Sequence, residues 1–503
     1  MGAEVELKLA TSRSGLRKAL ALPWLRKMAG EKVSKQDLTS VYFDTDDRAL
    51  RAHGVSLRVR KNGERRLQTI KAASDLPLAR SEWETEIDRD RPKLELAAST
   101  ALAPLLTDEV RQQLKPVFET RVERVVMPLQ FGDSEIELAL DRGRVGTADS
   151  SVDIAEIEIE LKQGERHDAA RLARRLAEHV PVTFGPRAKS ELGYALLDHA
   201  LDAPVFAARP ATIAPASTAA DAFVIIGYAC LRHLASNEAA VRSGEAEGVH
   251  QMRVGLRRLQ TALSLFKNML RGADTERLKR ELKWLTRQLG PARDYDVFLS
   301  GIVKPYLVHH PDTGVFEALA HHLERERDGA FSRARAAVDN ERFRRLLLDC
   351  VLWLLDGEWR NGDDPLLRAL RERPARGFAQ EKLGRRMRKV VKRVRKLKRL
   401  DARRLHKLRI AVKKVRYGRE FFASLDPDRR GRKVDRALKN LQSALGDLND
   451  MRVHAFLVRD LARANGAARK AFAAGYLTGR EEVRAGEVLS EALAAGKRLR
   501  KAA

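Results

Sequence analysis

Apolar and polar residues alternate with a period of two in six stretches of the first 200 residues: EVELKLA (4–10), VSLRVR (55–60), RLQTIKA (66–72), EWETEI (82–87), EIELALD (135–141) and AEIEIELK (155–162). Side chains leave a strand on alternate faces, so each stretch predicts a strand with one apolar and one charged face. LDAPVFAARPATIAPAST (201–218) carries Pro204, Pro210 and Pro215 among small residues and predicts a surface linker. Beyond it the period becomes helical, in long stretches rich in Leu, Arg and Ala.

The helical half also repeats. VHQMRVGLRRLQTALSLF (249–266) matches LHKLRIAVKKVRYGREFF (405–422), and LKWLTRQLGPARDYDV (282–297) matches LKNLQSALGDLNDMRV (438–453). His250 and His406, Gly290 and Gly446, and Asp294 and Asp450 all stand 156 residues apart. An ungapped spacing of this kind predicts two duplicated helical bundles. The expected domains are residues 1–200, the 201–218 linker, and 219–503 holding repeats at about 219–360 and 375–503.

Charge changes this picture when it is placed along the chain. The net charge is +27, from 96 Lys and Arg against 69 Asp and Glu. Residues 1–200 contain 33 of each sign, so the whole excess falls in residues 201–503. A balanced front half and a cationic back half imply two tasks, the second involving a polyanion. Two cysteines, Cys230 and Cys350, suit a reducing compartment. With no apolar leader before Glu4 and no run of eighteen apolar residues, the expectation is a soluble, cytoplasmic protein with no membrane partner.

The charged strand faces carry the chemistry. Glu4, Glu6 and Lys8 share one face of the first strand, Arg58 and Arg60 one face of another, and Glu156, Glu158 and Glu160 one face of a late strand. Glu82, Glu84 and Glu86, and Glu135 and Glu137, behave alike. Rows of like charge on an open sheet repel one another, but are tolerable inside a closed barrel where cations and an anionic ligand neutralise them. Carboxylates suit a hard cation such as Mg2+ or Mn2+, and guanidinium forks suit phosphate oxygens. Together they describe a place for a metal–polyphosphate complex. No Walker-type phosphate loop accompanies them.

These elements, in order, resemble the CYTH domain of the triphosphate tunnel metalloenzymes. The resemblance rests on E-x-E-x-K at Glu4, Glu6 and Lys8, YFDT at Tyr42–Thr45, LRVR with Arg58 and Arg60, and T-x-K at Thr69 and Lys71. It continues through R-x-E-x-E at Arg80, Glu82 and Glu84, a basic strand with Arg121 and Arg124, E-x-x-x-D-x-G at Glu137, Asp141 and Gly143, the acidic strand Glu156–Glu160, and KSELGY with Lys189. It implies an eight-stranded antiparallel tunnel, in an α+β multidomain chain. By this resemblance Glu4, Glu6, Glu158 and Glu160 hold metal, while Lys8, Arg58, Arg60, Lys71, Arg121 and Lys189 grip phosphate. No general base is assigned; Glu82, Glu84 and Glu137 are charge-balancing candidates, and Asp44 and Asp141 orienting ones.

In the back half, His250, Arg253, Arg257 and Gln260 share a helix face, repeated by His406, Arg409, Lys413 and Arg416. The basic run KLGRRMRKVVKRVRKLKR (382–399) precedes the second copy. Nucleic acid is one polyanion that would suit, but aromatics are 6% and no base-reading motif is present, so an all-phosphate ligand fits better. The duplicated half resembles the CHAD domain. That implies two four-helix bundles and polyphosphate binding through His250, Arg253, Arg257, His406, Arg409 and Lys413. One His per repeat among cations is a poor metal site, so a phosphate contact is expected. Asp294 and Asp450 are expected to be helix-end or intrahelical partners of arginines.

The combined expectation is an inorganic triphosphatase that cleaves tripolyphosphate with Mg2+ or Mn2+, with its helical half holding polyphosphate, at polyphosphate granules or the nucleoid. Two alternatives stay open: a nucleoside triphosphatase or adenylate cyclase using the same tunnel, and a non-catalytic polyphosphate- or nucleoid-binding protein.

Overall fold

The computed structural model describes residues 2–72, 78–185, 187–201, 205–310, 314–362, 364–425, 429–462 and 468–502, with backbone alone for 2–4, 79–80, 429–430, 458–462 and 468–469. They form two compact units. The first comprises Met1–Phe206, Ala235–Ala239 and Asp339–Glu358, and the second Ala207–Leu234, Ala240–Val338 and Trp359–Ala503.

In the first unit nine strands, β1 (Gly2–Ala10), β2 (Ser34–Asp44), β3 (Val55–Asn62), β4 (Arg65–Ala72), β5 (Ala79–Ile87), β6 (Lys115–Phe131), β7 (Ser134–Gly146), β8 (Ser151–Gln163) and β9 (Thr183–Phe184), pair in the order β5-β4-β3-β2-β6-β7-β8-β1-β9. β1 also pairs with β5, Val5 opposite Ala79, and this closes β1–β8 into an antiparallel barrel. Closure removes the sheet edges.

The alternation then decides what each face meets. Leu7, Leu9, Ile157 and Ile159 point outward and are buried, packed near the helix Arg166–Ala177 whose Ala169, Leu172, Ala173 and Leu176 are buried too. Val55, Leu57, Val59 and Ile70 are covered on another side by Leu50, Ala97 and Leu102. The apolar faces look out and the charged faces look in.

Part of the interior is apolar as well. Leu38, Tyr42, Phe118, Val122, Val145 and Ile154 pack with Tyr194 and Leu196 of the helix Lys189–Leu197. Gly193 allows that approach, since a Cβ there would stand 2.2 Å from the Phe118 ring. A Cβ at Gly143 would lie 2.0 Å from the Arg121 carbonyl oxygen. Asp44 ties the plug in place: it accepts hydrogen bonds from the Leu50 and Arg51 amides at 2.9 and 3.1 Å and from the Tyr194 hydroxyl at 2.5 Å.

The second unit is helical. The helices Ala219–Ser236, Ala246–Leu265 and Ala273–Phe298 begin 156 residues before Ala375–Val394, Ala402–Phe421 and Arg429–Ala462. Several repeat mates also touch. Thr218 forms an antiparallel bridge to Pro374, the Ala219 amide donates to the Arg373 carbonyl at 2.8 Å, and the Ala375 amide donates to the Ser217 carbonyl at 2.9 Å. Phe266 and Phe422 have ring centroids 6.1 Å apart. The duplication is therefore arranged about a local two-fold axis. Val394, Leu408, Val412, Leu438, Leu441, Ala492 and Leu499 join four helices of the second repeat in one core.

Candidate active site

The barrel encloses a cavity of about 510 Å3 whose described lining residues include seven cations and six carboxylates. Three cross-strand rows build one wall. Glu6 on β1 lies opposite Glu160 on β8, which lies opposite Glu137 on β7. Lys8 lies opposite Glu158, and Glu156 opposite Asp141, one step further on each time.

The inner rows neutralise themselves. Lys189, at the start of its helix, places its Nζ 2.6 Å from Asp141 and 2.9 Å from Glu158, and also donates to Glu156. Lys8 and Arg124 both donate to Glu158, and Arg124 forks onto Asp141 at 2.7 Å through Nε and Nη2. Burial disfavours charge on Glu158, yet Lys189, Lys8 and Arg124 hold its carboxyl well below the usual range. On Glu156 burial prevails and the carboxyl is raised. For Lys189, burial is outweighed by Glu156, Glu158 and Asp141, and its pKa rises.

The outer row is paired too, but less completely. Lys162 Nζ lies 2.7 Å from Glu160 and 3.7 Å from Glu137, and Glu6 Oε1 lies 3.0 Å from Lys8 Nζ, while Glu6 Oε2 is buried with no hydrogen-bond partner among the described residues. Three carboxylates in cross-strand succession, one with an orphaned oxygen, fit a hard divalent cation. The compact trio Asp141, Glu156 and Glu158, with oxygens within 4.8 Å of one another, fits one less well because side-chain cations already fill it.

Across the cavity, Arg58 lies 3.8 Å from Glu82 and donates to the Tyr42 hydroxyl at 3.5 Å, and Lys71 lies 3.0 Å from Glu82. Among the described residues Arg60 donates only to Ser40 Oγ, at 3.4 Å. Burial first, then Arg58 and Arg124, push Arg60 down to about 10. Among the described residues no carboxylate pairs with it, and a cation held so is relieved by an incoming anion.

Of the expected site residues, Glu6, Lys8, Arg58, Arg60, Lys71, Glu158, Glu160 and Lys189 line this one cavity. Glu4 has a described backbone only, and its side chain lies outside the described residues. Arg121 does not join them. It stands on the opposite face of β6, its side chain 61% exposed and 2.8 Å from Glu119. Arg124, three residues on and therefore of opposite parity, is the inward cation of that strand. Glu158 is expected on metal; here it pairs with Lys8, Lys189 and Arg124 and shares a hydrogen bond with Glu156.

In the second unit the faces expected on the helices Ala246–Leu265 and Ala402–Phe421, hereafter the His250 and His406 helices, come together. Arg253 donates to the Leu289 carbonyl at 3.0 Å and to Asp294 at 3.4 Å; its repeat mate Arg409 lies 3.8 Å from Asp450. Gln260 donates to Thr286 at 3.1 Å, and its mate Arg416 to Gln442, the mate of Thr286, at 2.8 Å. Burial first, then Arg257 and Arg409, drive Lys413 down to about 7. Arg253 falls to about 10 by burial, against Asp294. His250 is lowered by burial and Arg293, and His406 Nδ1 lies 2.7 Å from Asn449 Oδ1. The cationic cluster is under-neutralised.

An antiparallel barrel with its charges turned inward thus precedes, along the chain, a duplicated helical unit with a basic face. The family comparisons agree in both parts: residues 2–186 match the CYTH domain and residues 226–459 the CHAD domain. The chain thus carries a CYTH domain followed by a CHAD domain. An inorganic triphosphatase from Haemophilus influenzae is 27% identical over 208 residues, 38% of this chain and 54% of that protein, so the match spans about half the length of that relative. The crystal structure of the CHAD domain from the plant Ricinus communis is matched with 29% identity and a TM-score of 0.51, over 58% of this chain and 96% of that chain. Among the described residues no helix is long and apolar enough to cross a membrane.

Proposed function

We propose that the chain is a metal-dependent inorganic triphosphatase that hydrolyses tripolyphosphate to pyrophosphate and phosphate, and that its helical unit binds inorganic polyphosphate. The cavity lining carries this reading. Among the described residues Arg60 has no carboxylate partner and one oxygen of Glu6 has no hydrogen-bond partner, and both side chains line one cavity, which supports the entry of an anion and a cation there. Tyr42, the one aromatic among the described lining residues, lies against Arg58 and offers no stacking platform for a base. This supports an all-phosphate substrate over a nucleotide.

Glu6 and Glu160, with Glu137 beside them, would hold Mg2+ or Mn2+, with Glu4 as a further candidate from β1. When bound, such an ion neutralises phosphate charge and lowers the pKa of a coordinated water. Arg58, Arg60, Lys71 and Arg124 grip the phosphate oxygens and stabilise charge on the terminal phosphoryl group. Lys8 and Lys189 hold Glu158 and Asp141 in place, so the wall does not collapse when anion enters. Water adds to the terminal phosphorus, the bond to the bridging oxygen breaks, and pyrophosphate leaves. In the helical unit, Arg253, Arg257, Arg409 and Lys413, with His250 and His406, take the polyphosphate.

Phosphate release from tripolyphosphate and from ATP, measured side by side with Mg2+ and Mn2+, tests the substrate. Tripolyphosphate should turn over at least ~10-fold faster, the equivalent of about 1.4 kcal/mol. Equal or faster ATP turnover would overturn the choice.

A further inference from the structure

The two-fold arrangement of the second unit exposes one place where its halves differ in charge. Arg258 of the His250 helix donates to Glu420 of the His406 helix at 2.7 Å, with Cys230 beside Arg258. The repeat mates of these three residues, 156 positions away in each case, are Lys414, Ser264 and Arg386. They touch in the same way: Lys414 Nζ donates to Ser264 Oγ at 3.3 Å, and Arg386 Nη2 donates to Ser264 Oγ at 3.2 Å and to the Ser264 carbonyl at 2.6 Å.

One pole therefore holds an anion and a thiol, with Arg258 and also Arg416, at 2.8 Å, on the anion. The other holds two cations and a hydroxyl, with Lys267 nearby as a third cation. Among the described residues none of Arg386, Lys414 and Lys267 pairs with a carboxylate. Arg386 Nη1 is enclosed without any acceptor. Burial, Arg386 and Lys267 depress Lys414, and burial depresses Arg386, as expected of charges short of a counter-ion. Lys267 is exposed while Ser264, Arg386 and Lys414 are half-buried, so the pole opens to solvent on one side.

We propose that Arg386, Lys414, Lys267 and Ser264 form a second oxyanion site in the helical unit, which takes one phosphate group in the position that Glu420 fills at the opposite pole. It is separate from the Arg253–Lys413 cluster. Lys413 and Lys414 are neighbours in sequence but stand ~100° apart around the helix, and Lys413 faces Arg257 while Lys414 faces Ser264. The phosphate group comes either from free inorganic phosphate or from a polyphosphate chain.

The test uses the full-length chain, melted in rising sodium phosphate at constant ionic strength, as wild type, Ser264→Glu and the double variant Arg386→Gln/Lys414→Gln. Without phosphate, Ser264→Glu should melt higher than wild type by on the order of 2 °C, because the new carboxylate copies Glu420. Phosphate should close that gap by occupying the wild-type site alone. Because the gap is a difference, phosphate bound elsewhere cancels from it. A gap unchanged at every phosphate concentration would sink the proposal. If Ser264→Glu melts below wild type because the longer side chain does not fit, the double variant decides. It should gain less from phosphate than wild type, and an equal gain overturns the site. A parallel series with long-chain polyphosphate separates the sources: closure by both means free phosphate suffices, and closure by the polymer alone means a chain phosphate is required. None of these readouts depends on hydrolysis, so they stand or fall separately from the triphosphatase reading.

Discussion

Lys413 and Lys189 show how one residue type behaves in opposite surroundings. Lys413 faces Arg257 from the His250 helix, Arg409 and Arg416 from its own, and Asp450 from the helix Arg429–Ala462, and it sits near 7. A depressed base is charged in the folded state only below that value, whereas a bound phosphate favours the charged form. Polyphosphate affinity should therefore fall as pH rises through 7, by at most ~10-fold per unit, and binding at pH 8 should take up a proton. Calorimetry in buffers of different ionisation enthalpy reads that uptake; Lys413→Met should abolish it. Lys189, by contrast, is the counter-ion of three buried carboxylates. Lys189→Met should cost ~3–5 kcal/mol at pH 7 because it leaves buried charge uncompensated. The steepness of the pH dependence separates the two proteins. In wild type the depressed Glu158 contributes stability above the ordinary carboxyl range, lost as acid protonates it. In the variant Glu156 loses its nearest counter-ion while Glu158 and Asp141 keep Arg124, so urea midpoints should rise more steeply from pH 7 to pH 5 than in the wild type, where Glu156 is already raised. Arg121 and Arg124 mark the limit of reading at this scale. Both stand in the same basic strand, and only the register of β6 shows which one points inward.

At the scale of elements, period-two alternation placed six strands of the barrel but not β2 or β6, and it works where a barrel needs one face for core and one for cavity. It did not show that the apolar face is the outer one along its whole length. Val122, Val145 and Ile154 share the inward parity with Arg124, Asp141 and Glu156, yet they pack around Tyr194. The helix Lys189–Leu197 decides this by filling one stretch of the interior. Gly193→Ala tests that insertion directly. A methyl at 2.2 Å from the Phe118 ring forces the helix outward, at a cost of ~1–3 kcal/mol. Thermal melting should show the loss, and triphosphatase activity should fall with it because Lys189 moves with the helix. Activity unchanged at full occupancy of the folded state would mean that the plug does not position Lys189.

For the whole molecule, the division of charge predicts a division of labour. Glu6→Ala, with Glu4→Ala, should abolish metal-dependent turnover and leave polyphosphate retention on a resin intact. Charge reversal at Arg253, Arg257, Arg409 and Lys413 should do the opposite, and retention by the wild type should weaken steeply with salt. Loss of both functions in either variant, with the fold intact by circular dichroism, would contradict the separation. The chain does not divide cleanly along its length. The helix Glu341–Asp356 lies among residues of the helical half, yet belongs to the barrel's unit. Its Asp349 and Asp356 meet Arg174 and Arg171 of the helix Arg166–Ala177 at 2.7 and 2.6 Å. Nothing in local periodicity marks that helix as different, since an amphipathic stripe states only that a face is covered and not by what.

Taken alone, the amino-acid order determined the element types, the two-part build, the placement of charge and the 156-residue duplication, because these depend on side-chain alternation and spacing along a continuous chain. Tertiary structure decided which carboxylates are already neutralised by lysine and arginine, which arginine of β6 faces the cavity, and which pole of the duplicated unit lacks its anion. Those are matters of distance between residues far apart in sequence, and electrostatic compensation in a buried site depends on that distance and on the exclusion of water.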